Sequence, residues 1–246
     1  FLPFLTFSQQ TKEVLFLGNS YTFYNDLPNM VKQIALSFGD TLNYDQNTPG
    51  GATLQMHTTN SQTLSKISLK EWDNVVIQCQ SQEPSFSPSQ VSNDVFPYAQ
   101  ILIDSIESNF LCTEPMFFMT WGRKYGDQQN CQFYPPICTY LGMQNRLRQS
   151  YLQMAFTHNA SCTPVGIAWK ESIEQDSTLN LYSSDNSHPS LEGSYLSACT
   201  FYASIFKNSP IGTTYIPNGM DTATATFLQT IASNTVLDSL SIWNIF

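Results

Sequence analysis

Apolar residues along this chain fall into two patterns. Short uninterrupted runs at residues 14–17, 74–78, 116–120 and 165–169 have the character of strands buried on both faces, and a weaker run at 42–46 makes a fifth. Between them lie longer stretches, 27–38, 89–108, 140–159 and 189–207, whose apolar residues recur at three- and four-residue steps and predict helices. The first of these is framed by Asp26 as N-cap, Pro28 in the opening turn and Gly39 beyond the end. After a loop-like stretch at 208–221, "TATATFLQTIASNTVL" predicts a last helix.

Strands that alternate with helices predict right-handed crossovers and a doubly wound α/β fold, with a five-stranded parallel sheet as the middle of three layers. A chain of 246 residues suits one such domain. In sheets of this kind ligands bind beyond the carboxyl ends of the strands, so chemistry is expected in the loops that begin at Gly18, Gly50, Gln80, Trp121 and Lys170.

Charge narrows the range of partners. The net charge is −9 and the ten basic residues are scattered, which excludes a nucleic-acid face. No apolar run reaches the roughly 18 residues of a membrane span. Only 12% of residues are charged and Ser, Thr, Asn and Gln supply most of the polarity, which suits an uncharged sugar or ester. The opening "FLPFLTFSQQ" is similar to the end of a signal peptide, so residues 1–10 are expected to be its remnant or an N-terminal extension, with the domain spanning 11–246. The apolar close "DSLSIWNIF" fits a chain that continues further. A secreted or cell-surface location follows as the expectation, and "NAS" at Asn159 fits a glycosylation acceptor.

Six cysteines fit an oxidising compartment. Cys131 and Cys138 close the short loop "CQFYPPIC" and form the first expected pair, Cys112 and Cys162 the second, while Cys79 and Cys199 read as buried thiols. There is no CxxC and no metal-spaced cluster of His, Asp and Glu, so neither a metal nor a cofactor is expected.

The search for a nucleophile and its base is short, because there are three histidines. His57 and His158 read as ordinary surface or capping residues. His188 lies in "SSDNSHPS", three residues after Asp185, a spacing that lets the carboxylate face Nδ1 and fix the tautomer. Helix capping at Pro189 is an equal reading of these two residues alone. Ser20 decides between them, since it stands just past the first strand, after a turn that Gly18 permits, with hydroxyl and NH both available to a ligand. "TPGGATL" after the second strand and the Gln82 carboxamide after the third are placed to donate toward the same spot.

With these blocks in order, the chain resembles the SGNH hydrolases, the GDSL esterase and lipase superfamily. Gly18-Asn19-Ser20 matches the first block, Gly51 the second, and Asp185 with His188 the last. "FLGNSYTFYNDLP", "MTWGRKYGD" and "DNSHPSLEGSYL" are most similar to a secreted bacterial subgroup. Asn19 stands where the commoner form has Asp, and the usual GxND becomes Gln80-Ser81-Gln82-Glu83. No GxSxG elbow is present.

The resemblance implies a flavodoxin-like sheet and a serine esterase. Ser20, His188 and Asp185 would be its triad, and Ser20 NH, Gly51 NH and Gln82 its oxyanion hole. Short-chain O-acetyl esters of carbohydrate are the expected substrates, with a lipase or aryl esterase of the same fold and an inactive carbohydrate-binding or adhesion module as alternatives. Tyr21, Phe23, Tyr24 and Trp121 sit on or near the carboxyl-edge loops, where they would either line a substrate pocket or pack in the core. The sequence carries no sign of oligomeric state.

Overall fold

The computed structural model describes residues 9–246. Residues 1–8, on which the signal-peptide expectation rests, lie outside the described residues. The chain runs β1 (Thr11–Leu17), α1 (Ser20–Phe23), α2 (Leu27–Ser37), β2 (Thr41–Asn47), α3 (Leu54–Thr59), α4 (Ser61–Ile67) and β3 (Asn74–Ile77). It continues through α5 (Pro88–Asp94), α6 (Phe96–Asn109), β4 (Glu114–Phe118), α7 (Tyr140–Thr157), β5 (Ser161–Thr163), α8 (Val165–Gln175), α9 (Leu191–Phe206) and α10 (Thr222–Leu237).

All five strands are parallel, in the order β2-β1-β3-β4-β5. Register aligns Leu17 with Asn47 on one side and with Ile77 on the other, so the loops after β1, β2 and β3 leave the sheet side by side. The two-residue period of the strands divides their apolar side chains between two cores. Val14, Phe16, Val76, Met116 and Phe118 pack with α2, α8, α9 and α10. Leu15, Leu17, Val75, Ile77 and Phe117 pack with α3 to α7. Helices therefore cover both faces, which is why the strands read as continuous apolar runs. Among the described residues no helix is long and apolar enough to cross a membrane.

Several expectations are corrected. The run 165–169 is the first half of α8, and the fifth strand is the preceding Ser161–Thr163, buried throughout. Pro164, with no NH for a ladder, separates the two, and "VGIAW" buries Val165, Gly166, Ala168 and Trp169 along one helical face. The loop after the last strand accordingly begins at Pro164 and not at Lys170. The predicted helix 89–108 is two helices broken at Val95, with Pro97 in the first turn of the second. Asp26 adopts a left-handed conformation, φ 55°, and makes no capping bond to α2.

The Cys131–Cys138 disulfide is present. Cys112 and Cys162 are not paired: Cys162 is buried in the middle of β5, whereas Cys112 is exposed on the turn before β4. Cys79 and Cys199 are buried thiols.

Gly166 lets the start of α8 pack against the chain that follows β4 and against α7. Its NH donates to Met119 O, and an added Cβ would lie 2.1 Å from Thr120 O and 2.5 Å from the Gln144 carboxamide. Gly166→Ala is expected to cost about 1–3 kcal/mol, read as a lowered urea midpoint with unchanged slope.

Candidate active site

The site begins where β1 ends. Gly18 NH donates to Asn47 O, and a Cβ at Gly18 would meet Thr22 Oγ1 at 2.4 Å and Gln78 Oε1 at 2.6 Å. Only glycine lets the chain pass so close to those two side chains. Asn19 then caps the four-residue helix α1, its Oδ1 accepting from Tyr21 NH at 3.1 Å.

The same Asn19 is locked to the neighbouring strand ends. Gln78, wholly buried at the end of β3, accepts from Asn19 NH and from Thr22 Oγ1 at 2.9 Å each, and its Nε2 donates to Asn19 Oδ1 at 2.9 Å. Asn19 Nδ2 donates to Ala52 O at 3.0 Å, tying in the loop after β2. An aspartate could accept from Gln78 but could not donate to that carbonyl, which is a physical reason for the neutral residue at this position.

His57, expected at the surface, is buried in α3. Its Nε2 donates to Gly18 O at 2.9 Å, and because a carbonyl only accepts, Nδ1 is left to accept from Thr63 Oγ1 at 2.8 Å. Burial holds this imidazole below its usual pKa, against the opposing effect of the Gly18 carbonyl, so it is a neutral strut beneath the first block. His158 caps the end of α7.

Ser20, the first residue of α1, is brought to the loop between α8 and α9. Ser20 Oγ lies 2.8 Å from His188 Nε2, and His188 Nδ1 lies 2.5 Å from Asp185 Oδ2. The carboxylate keeps the proton on Nδ1, leaving the Nε2 lone pair to accept from the serine hydroxyl. Asp185 is itself held by Ser183 Oγ at 2.8 Å, Ser187 NH at 3.0 Å and His188 NH at 2.9 Å, all to Oδ1. Partial burial would raise its pKa, but His188 and these donors outweigh that and hold the carboxyl well below the usual range. The three residues singled out in the sequence thus form one continuous chain of hydrogen bonds.

Aromatic rings brace the imidazole. Tyr24 stacks on it at 4.9 Å and Tyr21 meets it edge-on at 5.3 Å. Tyr21 stacks in turn on Trp121 at 4.6 Å, and Trp121 on Trp169 at 4.0 Å. The expectation that Trp121 and Tyr21 line the substrate pocket is therefore corrected. Trp121 is wholly buried with both faces covered, and its Nε1 donates to Ser187 O at 2.9 Å. Tyr21 is buried as well, its hydroxyl 2.6 Å from Ser187 Oγ. Phe23 is the exposed aromatic of this group.

The second and third loops differ in how firmly they are held. Gly51 lies on an exposed turn at φ 70°, anchored through the Ala52–Asn19 bond. Gln82, half-buried, donates from Nε2 to Asp127 Oδ2 at 2.7 Å, so one of its two amide hydrogens is engaged and the other is free for a further acceptor. Asp127, fully buried, also accepts from Asn130 Nδ2 at 2.8 Å and from the NH groups of Gln129 and Asn130. Its own NH donates to Ile137 O at 2.8 Å, inside the loop that the disulfide closes.

Gln78, His57 and Asp127 escaped the sequence reading. Gln78 carried a signal, a polar side chain ending an otherwise apolar strand in "VVIQC". Asp127 ends the stretch "MTWGRKYGD", which carried no sign of its partner, and nothing local marked His57.

No protein-family model matches this chain, and no curated protein matches it either. Solved structures do. A DUF4886 family protein from Bacteroides uniformis superposes with TM-score 0.78 at 17% identity, covering 92% of this chain and 95% of that one. A candidate SGNH hydrolase from Slackia heliotrinireducens gives 0.64 at 23% identity, covering 78% of this chain and 97% of that one. A catalytic mutant of an acetylxylan esterase from Geobacillus stearothermophilus gives 0.55 at 14% identity, over 80% and 95%. The chain has the SGNH-hydrolase fold. Within that fold the loops after β1, β2 and β3 and the loop before α9 are the ones described above.

Glu83, next to Gln82, has its carboxyl pushed up to about 7 by burial, with the Asp94 charge a smaller contribution. Its folded pKa is raised, so the unfolded chain ionises first and stability falls as pH climbs from about 4.5 to about 7. Glu83→Gln is expected to match the parent at pH 4 and exceed it increasingly up to pH 7, with a constant difference above, measured by urea unfolding across that range.

Proposed function

We propose that this chain is a secreted serine esterase acting on carboxylic esters, with short-chain O-acetyl esters of carbohydrate as substrates. The observation that carries this reading is the unbroken relay from Ser20 Oγ through His188 to Asp185, at 2.8 and 2.5 Å. His188 takes the serine proton as Oγ attacks the ester carbonyl, then returns it to the departing alcohol. The acyl group is left on Ser20, and a water activated by the same imidazole releases it. Asp185 stays ionised throughout, which its depressed pKa favours. The tetrahedral oxyanion is assigned to the NH groups of Ser20 and Gly51 and the free amide hydrogen of Gln82, donors worth about 3 kcal/mol each in such sites.

The shared fold with an acetylxylan esterase supports the choice of substrate, and the disulfide supports an oxidising, extracellular setting. One observation favours the alternative of a carbohydrate-binding module without turnover: the Gln82 carboxamide is already partly committed to Asp127. A fluorophosphonate probe separates the two, since it labels Ser20 only where the serine is activated.

Ser20→Ala is expected to lower kcat on p-nitrophenyl acetate by about 10⁴-fold or more; unchanged turnover would sink the mechanism. Gln82→Ala is expected to lower kcat about 10²-fold, with KM little altered. A panel of p-nitrophenyl esters from acetate to palmitate tests the acyl class, and preference for the long chains would overturn it.

A further inference from the structure

The carboxylate that aims Gln82 also works against it. An amide nitrogen that gives one hydrogen to a carboxylate and the other to an oxyanion holds the two negative charges about 5 Å apart. Asp127 is fully buried, so water screens little of the repulsion between them.

A cation faces the same carboxylate through its other oxygen. Arg123 Nη1 lies 3.7 Å from Asp127 Oδ1, while Gln82 Nε2 is bonded to Oδ2. The backbone here is pinned beside the relay. Arg123 NH donates to Met143 Sδ at 3.3 Å, Gly126 NH closes the turn onto Arg123 O at 2.9 Å, and Lys124 NH donates at 3.0 Å to the carbonyl of Asn186, the residue after Asp185. The Arg123 charge also reaches Tyr21, the neighbour of Ser20, where with the Ser187 bond it opposes the larger effect of burial on the hydroxyl pKa.

Asp127 does not need Arg123 to hold it still. Gln129 NH and Asn130 NH already occupy Oδ1, and Gln82 and Asn130 Nδ2 occupy Oδ2. Every one of these bonds is accepted, as an ionised carboxylate accepts. An arginine placed for structure uses its planar fork, typically in a bidentate pair. Arg123 does not: its Nε is buried with no hydrogen-bond partner among the described residues, and Nη1 stands beyond hydrogen-bond reach of Oδ1. What it supplies at this place is charge.

We propose that Arg123 is a positioning residue of the esterase, acting through Asp127: it cancels the charge of the carboxylate that aims Gln82, so that the remaining amide hydrogen can receive an oxyanion. The role rests on the esterase reading, since the oxyanion defines it. Pairing with Asp127 leaves little net charge for an acidic group on the substrate, so Arg123 is not assigned as a substrate-anion site.

Kinetics on p-nitrophenyl acetate and inhibition by phenylboronic acid, which adds to the serine oxygen as an anionic tetrahedral adduct, test it together. Arg123→Gln is expected to lower kcat about tenfold with KM little changed, and to weaken phenylboronic acid by a similar factor. Arg123→Lys, which restores the charge without the fork, should regain most of both losses. Arg123→Met, which keeps the apolar stem, takes the place of the glutamine variant should that one not fold. Unchanged kcat, a loss that lysine does not repair, a loss carried by KM, or an effect confined to esters bearing a carboxylate would overturn the role. Parent protein that neither hydrolyses the ester nor takes a fluorophosphonate label would overturn the esterase reading and this role with it, whereas an active parent matched by Arg123→Gln overturns the role alone.

Discussion

The buried pairing of two side-chain amides, Asn19 with Gln78, is the constraint on which the geometry around Ser20 depends. The Gln78 carboxamide gives to Asn19 Oδ1 and receives from the Asn19 backbone NH and Thr22 Oγ1, while the Asn19 carboxamide also receives from Tyr21 NH and gives to Ala52 O. Three strand ends are thereby held together, and they are the ends whose loops carry Ser20, Gly51 and Gln82. Shortening either amide would strand several donors and acceptors away from water, at about 1–3 kcal/mol for each group left unpaired. Gly18 belongs to the same arrangement, because the space a side chain would need there is taken by Gln78 and Thr22.

A second constraint acts from behind. Tyr21, Trp121 and Trp169 form a column of parallel rings that ends against His188. Ser187 is gripped twice by this column, through the Tyr21 hydroxyl and the Trp121 indole NH, so the residue before His188 cannot shift without breaking both. Packing aromatics at this place, and not at the mouth, turns apolar burial into control over where one imidazole sits.

Much of this was legible in the sequence because parallel strands buried on both faces leave unmistakable apolar runs, and because Ser20, Asp185 and His188 lie in short segments of unusual composition. The misreadings have physical causes. "VGIAW" is too short for its period to separate a strand from a buried helix, and Pro164 was the cue that settles it. Trp121 was placed correctly in the chain but not in depth, since nothing local says that Trp169 and Tyr21 close over its faces. His57 and Asp127 act through partners 39 and 45 residues away, Gly18 and Gln82, and such pairings exist only once the topology does.

The disulfide has a consequence that reaches beyond the loop it closes. Asp127, whose backbone is tied to Ile137 within that loop, is the acceptor that aims the Gln82 amide. None of the contacts among Ser20, His188 and Asp185 passes through the loop. Protein made in a reducing cytosol and protein exported through an oxidising compartment would carry the same nucleophile, yet they would differ in how tightly the neighbouring amide is steered.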